Sequence, residues 1–284
     1  MKRMAMGAVV LFSAAGLAGC MDMINAIKAT SIKDKPVKSL KIEHDPQAAR
    51  GQGDKVPIAV TAVLEDGTEL VTRGNRFKSG ELPWEDLKVE VKGGEFVEFE
   101  DLRDRTQVRA HGIQIAWDCR TIDGFEVGVT VRSAYRPELA ATLKIPIDVS
   151  RDFSMYFTNR DVDVWLKEYQ DEALGREMLK ALVKTSSGTE SYLRLDPSKV
   201  IKFVAGGANG RTWYGAGPQN GEDGLDGRAI HVTLSPGAAK YKHNLRLLNP
   251  GGQSGQGSNG GMNGRSGRPG PTPVVEVAEV QFDW

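Results

Sequence analysis

The chain has 284 residues, with 37 basic side chains balanced by 37 acidic ones. That balance gives no basic excess for a nucleic-acid partner and no acidic tail. The length suits one large domain or two modest ones. Glycine, at 33 residues, is the compositional outlier, and aromatic residues make up only 7%.

In chain order, the first element is an export signal. Lys2 and Arg3 are followed by an uncharged run of small and apolar residues from Ala5 to Ala18, about 14 in all. That is too short to span a bilayer. The run ends in Leu17-Ala18-Gly19-Cys20, which resembles the lipobox of bacterial lipoproteins. The resemblance implies signal recognition through Leu17, Ala18 and Gly19, removal of residues 1–19, a diacylglycerol on the Cys20 sulfur and an N-acyl chain on the new terminus. Several acyl chains hold a protein durably where one does not, so the expected partner is a membrane reached through the lipid anchor. Met21 stands where an aspartate would mark inner-membrane retention, so the resemblance implies the outer membrane, with the face left open. Residues 20–37, lysine-rich and aperiodic, read as a tether.

The next region, 38–150, reads as strands. Ser39–Glu43 alternates, and Val56–Leu64 is rich in β-branched residues. Glu65-Asp-Gly-Thr68 signals a hairpin whose Asp-Gly supplies positive φ angles, and Glu69–Thr72 returns from it. Leu87–Val91, Val108–Trp117, Phe125–Val131 and Leu139–Val149 follow. Short alternating strands separated by turn chemistry predict an all-β fold opening with an immunoglobulin-like β-sandwich. Val60–Gly67 and Trp84–Val89 resemble bacterial immunoglobulin-like modules, although the intersheet cysteine pair is absent.

Residues 151–284 read as a second β-rich region. Val162–Val183 fits a helical period in part, but Gly175 and regular turn signals favour a meander of strands. Val200–Val204, Ala229–Leu234, Asn244–Leu248 and Pro273–Phe282 are further strands. Between them lie glycine-rich insertions at about 206–227 and 251–271, with glycine at every third position in places. That spacing suits a collagen helix, but the triplets are too few. Stacked polyproline-II-like segments and long flexible loops are the two readings that remain.

The order of lipobox, sandwich and glycine-triplet β-region resembles glycine-rich, collagen-like bacterial surface lipoproteins. The runs carrying the resemblance are Asp66–Gly74, Leu195–Gly207, Asp223–Thr233 and Tyr241–Asn249. It implies no defined activity.

Candidate chemistry is sparse. Asn220-Gly-Glu-Asp-Gly-Leu-Asp-Gly227 places three carboxylates in a glycine-rich stretch, but without calcium-loop spacing it reads as a solvated turn, and no metal site is expected. His44, His111, His231 and His243 have no metal-ligand spacing. Cys119, left alone once Cys20 is lipidated, reads as a buried thiol. Trp213 and Tyr214, set between glycines, could contact a cell-surface glycan or an envelope protein, or pack back onto a sheet. The reading is therefore a non-catalytic, lipid-anchored envelope protein with a structural or surface-interaction role, without a cofactor beyond its acyl groups. The alternatives are a glycan- or peptide-binding accessory protein using the glycine-rich loops, and a hydrolase with an unrecognised carboxylate site.

Overall fold

The computed structural model describes residues 29–101 and 108–281. Leu17, Ala18, Gly19 and Cys20, and with them the lipidation expectation, lie outside the described residues.

The fold is all-β. The first eight strands are β1 (Val37–His44), β2 (Lys55–Leu64), β3 (Glu69–Val71), β4 (Leu87–Lys92), β5 (Gly94–Asp101), β6 (Val108–Ile115), β7 (Glu126–Ser133) and β8 (Ala140–Pro146). They form one sheet in the order β1-β2-β6-β5, with β3 beside β2, and a second in the order β4-β7-β8. Alternation drives the packing, because successive side chains of a strand face opposite sides. Val127, Val129 and Val131 of β7 point inward and meet Ile58, Val60, Ile113 and Ile115 from the other sheet. The result is a β-sandwich with one continuous apolar core.

The Asp66-Gly67 hairpin forms, but only Gly67 has a positive φ, at 86°. Leu64 N donates to Thr68 O at 2.8 Å, so the loop is longer than the two-residue turn expected. Strand β5 is absent from the sequence reading. Its run Gly94–Asp101 interleaves acidic residues with apolar ones that are only partly buried, as an edge strand can.

Strands β9 (Phe153–Thr158), β10 (Val162–Asp171), β11 (Arg176–Thr185), β12 (Glu190–Leu195), β13 (Ile201–Gly206), β14 (Ile230–Leu234), β15 (Leu245–Leu248) and β16 (Val274–Val277) complete the set. The segment 162–185 is the meander, not the helix: Val162 pairs with Thr185 and Asp171 with Arg176 across a turn in which Gly175 has φ 63°. A five-stranded sheet, β12-β11-β10-β14-β16, covers a three-stranded one, β15-β13-β9. Leu166, Ala181, Leu193, Phe203, Val232 and Leu234 fill the core between them.

This half contains an internal repeat. β13 and β15 pair in parallel, Ile201 beside Leu245, and β14 and β16 pair in parallel, His231 beside Val274. Each repeat leaves the smaller sheet, makes a glycine-rich excursion and returns to the larger sheet. The runs Asn220-Gly-Glu-Asp-Gly-Leu-Asp-Gly227 and Asn263-Gly-Arg-Ser-Gly-Arg-Pro-Gly270 occupy equivalent places in the two repeats.

Candidate binding surface on a glycine bundle

The two excursions are ordered and stack as four extended segments, 207–213, 219–228, 250–258 and 261–270. The first and third run outward from β13 and β15. The second and fourth run back to β14 and β16. Backbone donors recur at every third residue and successive positions face different neighbours, which is the threefold symmetry of a polyproline-II-like chain.

Parallel neighbours are joined by Gly207 N to Pro250 O (2.9 Å) and Gly210 N to Gln253 O (2.8 Å), and on the other layer by Gly221 N to Met262 O (2.9 Å) and Gly224 N to Arg265 O (2.8 Å). Antiparallel neighbours are joined by Leu225 N to Ala208 O (2.9 Å), Gly252 N to Leu225 O (2.8 Å) and Gly267 N to Gly252 O (2.9 Å). The second and third segments each touch three others, whereas the first and fourth each touch two. The cross-section is therefore a rhombus whose two layers continue the two sheets of the sandwich.

Such chains lack internal hydrogen bonds, so every inward backbone group needs a neighbour. Only glycine allows that approach. A Cβ on Gly207 would come closer than 3.0 Å to the Leu225 carbonyl, and one on Gly252 would do the same at Ala208 O.

Side chains complete the parallel contacts. Asn209 Oδ1 accepts from Gln253 N (2.8 Å) and Thr212 Oγ1 from Gln256 N (3.1 Å). In the other layer Asn220, Asp223 and Asp226 accept through Oδ1 from Met262 N (2.9 Å), Arg265 N (2.6 Å) and Arg268 N (2.7 Å). A polar side chain thus forms a rung every third residue, one position before a glycine in every case but Thr212, which precedes Trp213. Asp223 and Asp226, weighed in the sequence as calcium ligands, have this structural use. Among the described residues no group of three acidic, histidine or cysteine side chains is placed to hold a metal.

At the outer end the segments are joined by two turns that brace each other. Asn259 (φ 45°) and Gly260 (φ 89°) form a two-residue turn closed by Gly261 N to Ser258 O at 2.9 Å. Asn259 Nδ2 donates to Gly215 O and Ser258 Oγ to Gly217 O, each at 2.9 Å. At about 3.1 Å per residue, the first segment carries this end roughly 20 Å beyond β13.

Trp213 and Tyr214 lie at that outer end, and the structure separates their roles. Trp213 is partly buried, its N donates to Gln256 O, and the Arg211 guanidinium lies 4.1 Å from its ring centroid. It packs the bundle. Tyr214 is 91% exposed, and Met262, at the start of the fourth segment, is 73% exposed. The available apolar surface at this end is therefore Tyr214 with Met262. The sequence reading missed Met262, which carries no local signal; the turn at Asn259 and Gly260 brings it to this end.

Depressions also lie elsewhere among the described residues. A cleft of about 50 Å³ between the halves, lined by Gln52, Asp54, Trp117, Arg151 and Arg194, has room for a few waters. A groove of about 770 Å³ on the first sandwich lies between His44, Pro46, Phe77 and Leu143, with Lys78 paired to Glu43 at its rim. Cys119 is buried, and burial pushes its thiol up to about 11, opposed weakly by Arg194. A thiol held protonated is a weak nucleophile, and Cys119 packs in the interior. His111 forms a three-ring cluster with Trp84 and Phe96, its ring centroid 5.0 and 5.9 Å from theirs and those two 5.2 Å from each other, and desolvation lowers its pKa. His231 and His243 are exposed and lie apart from these sites.

Comparison with protein-family models, with curated proteins and with solved structures gave no match.

Proposed function

We propose that the protein is a lipid-anchored bacterial envelope protein that presents the end of its glycine bundle to a partner and performs no catalysis. The observation that carries this reading is the bundle itself. It extends a packed sandwich core into a rigid polar rod and leaves Tyr214 almost fully exposed at the far end. Exposed aromatics on rigid elements lose little entropy on binding. The first sandwich acts as a spacer between the lipid and the bundle. Its sheets, β1-β2-β6-β5 and β4-β7-β8, follow the strand order of constant-type immunoglobulin sandwiches, which supports an immunoglobulin-like reading. The Leu17–Cys20 lipobox supports lipidation at Cys20 and an outer-membrane address. Kinship with glycine-rich surface lipoproteins belongs to the same proposal.

Two experiments test it. Cys20→Ser in the producing cell is expected to lose acylation and leave the membrane fraction; a membrane-bound variant overturns the anchor. Binding of the purified body to isolated outer membranes is expected to weaken about tenfold or more on Tyr214→Ala, the range of an aromatic hot spot. Unchanged binding, with folding intact, removes the bundle end as the contact.

A second reading is favoured by the groove beside Phe77 and Leu143, whose volume is that of a small-molecule site. It makes the protein a glycan- or peptide-binding accessory. Phe77→Ala would then abolish a binding event that Tyr214→Ala leaves intact.

A further inference from the structure

All four Asn-Gly pairs of the chain, at 209–210, 220–221, 259–260 and 263–264, lie in the bundle. An Asn-Gly pair is chemically labile because the unhindered glycine amide nitrogen can attack the asparagine side-chain carbonyl carbon. The bundle occupies both reacting groups in three of the pairs. Asn209 Oδ1 accepts from Gln253 N while Gly210 N donates to Gln253 O, both at 2.8 Å. Asn220 Oδ1 accepts from Met262 N while Gly221 N donates to Met262 O, both at 2.9 Å. Asn263 Oδ1 accepts from Gly257 N at 3.0 Å while Gly264 N donates to Gly255 O at 2.9 Å.

The fourth pair differs. Asn259 and Gly260 form the exposed turn at the outer end, and among the described residues the Gly260 amide has no hydrogen-bond partner. Among the described residues Asn259 Oδ1 likewise accepts nothing, while its Nδ2 donates to Gly215 O.

We infer that Asn259 is a built-in site of spontaneous deamidation, while the three equivalent pairs are protected by the bundle. The Gly260 amide nitrogen, losing its proton to base, forms a bond to Asn259 Cγ. The tetrahedral adduct expels Nδ2 as ammonia, leaving a five-membered succinimide. Water then adds to either carbonyl of the ring and opens it to aspartate or isoaspartate. The balance is one water consumed and one ammonia released, without redox change. The product replaces the donor to Gly215 O by a carboxylate, so two acceptors face each other one residue from Tyr214. The brace between the end turns is lost, and a negative charge appears beside the exposed aromatic.

The test is peptide mapping by mass spectrometry of the native full chain held at mildly alkaline pH, with a parallel sample unfolded in denaturant. In the native sample Asn259 is expected to convert about tenfold or more faster than Asn209, Asn220 or Asn263, because each of those must first open hydrogen bonds. In denaturant the four rates should converge. Equal native rates, or a protected pair converting faster than Asn259, would overturn the inference. So would a difference that persists on unfolding, since local sequence and not the bundle would then be its cause.

Discussion

Gln52 closes the open edge of the second half by imitating a strand for Arg194. Its Oε1 accepts from Arg194 N at 2.9 Å, and its Nε2 donates to Tyr192 O and to Trp117 O, each at 3.2 Å. Strand β12 is the end strand of its sheet, so these backbone groups lack a neighbouring strand. One carboxamide, 8% exposed, pairs with both and ties them to the first half. Arg194 adds a second link, donating through Nη1 to Gly124 O at 2.7 Å.

Gln52→Ala should therefore cost about 2–3 kcal/mol, since it strands buried backbone groups as well as deleting bonds. Thermal unfolding should show a lower midpoint, and amide exchange at Arg194 should accelerate. A change within experimental scatter would show that water replaces the carboxamide without cost.

The bundle predicts opposite responses from two glycines. Gly252→Ala places a methyl against the Ala208 carbonyl and should cost about 1–3 kcal/mol. Gly217→Ala, in the end turn, meets nothing within 4 Å and should change stability by no more than about 0.5 kcal/mol. Amide exchange of 207–227 would read the difference, and equal effects would contradict the close packing.

The rungs make a similar contrast. Asp226→Asn keeps an Oδ1 acceptor for Arg268 N and should be nearly neutral. Asp226→Ala removes it and should cost about 1 kcal/mol. Exchange at the Arg268 amide is the local measurement; parity of the two variants would mean the rung contributes nothing.

His111 sets a pH dependence. Desolvation beside Trp84 and Phe96 holds it below its ordinary 6.5, against the raising influence of Glu98 and Glu85, with Arg73 and Arg109 lowering it further. The folded chain thus binds this proton less well than the unfolded one. Above about pH 6.5 the site is neutral in both states and stability is flat. As pH falls below that value the unfolded chain protonates first and stability drops, until the folded state protonates too. Denaturant midpoints measured across this window should slope, and His111→Gln should reduce the slope.

Cys119, held protonated by burial, should resist alkylation in the native protein near neutral pH and react once the chain is unfolded. Rapid native labelling would mean that the region opens readily.

The strand content was legible from sequence because its causes are local. Alternation in Val127–Val131 and the turn glycines at 67 and 175 require only neighbouring residues to be interpreted. The same locality hid β5, whose acidic run lacks a buried face strong enough to declare itself. The three-residue glycine period was equally visible, and it made stacked segments one of two open readings. Which chains would stack was not visible, because the partners of Gly207 are Pro250 and Leu225, far away in sequence. Tertiary structure alone decided that Asp223 and Asp226 form rungs, that Arg211 covers Trp213 while Tyr214 stays free, and that Gln52 completes the edge of β12. For the rungs and for Gln52 the deciding contact joins residues remote in the chain, and the demand that buried backbone groups find partners selects it.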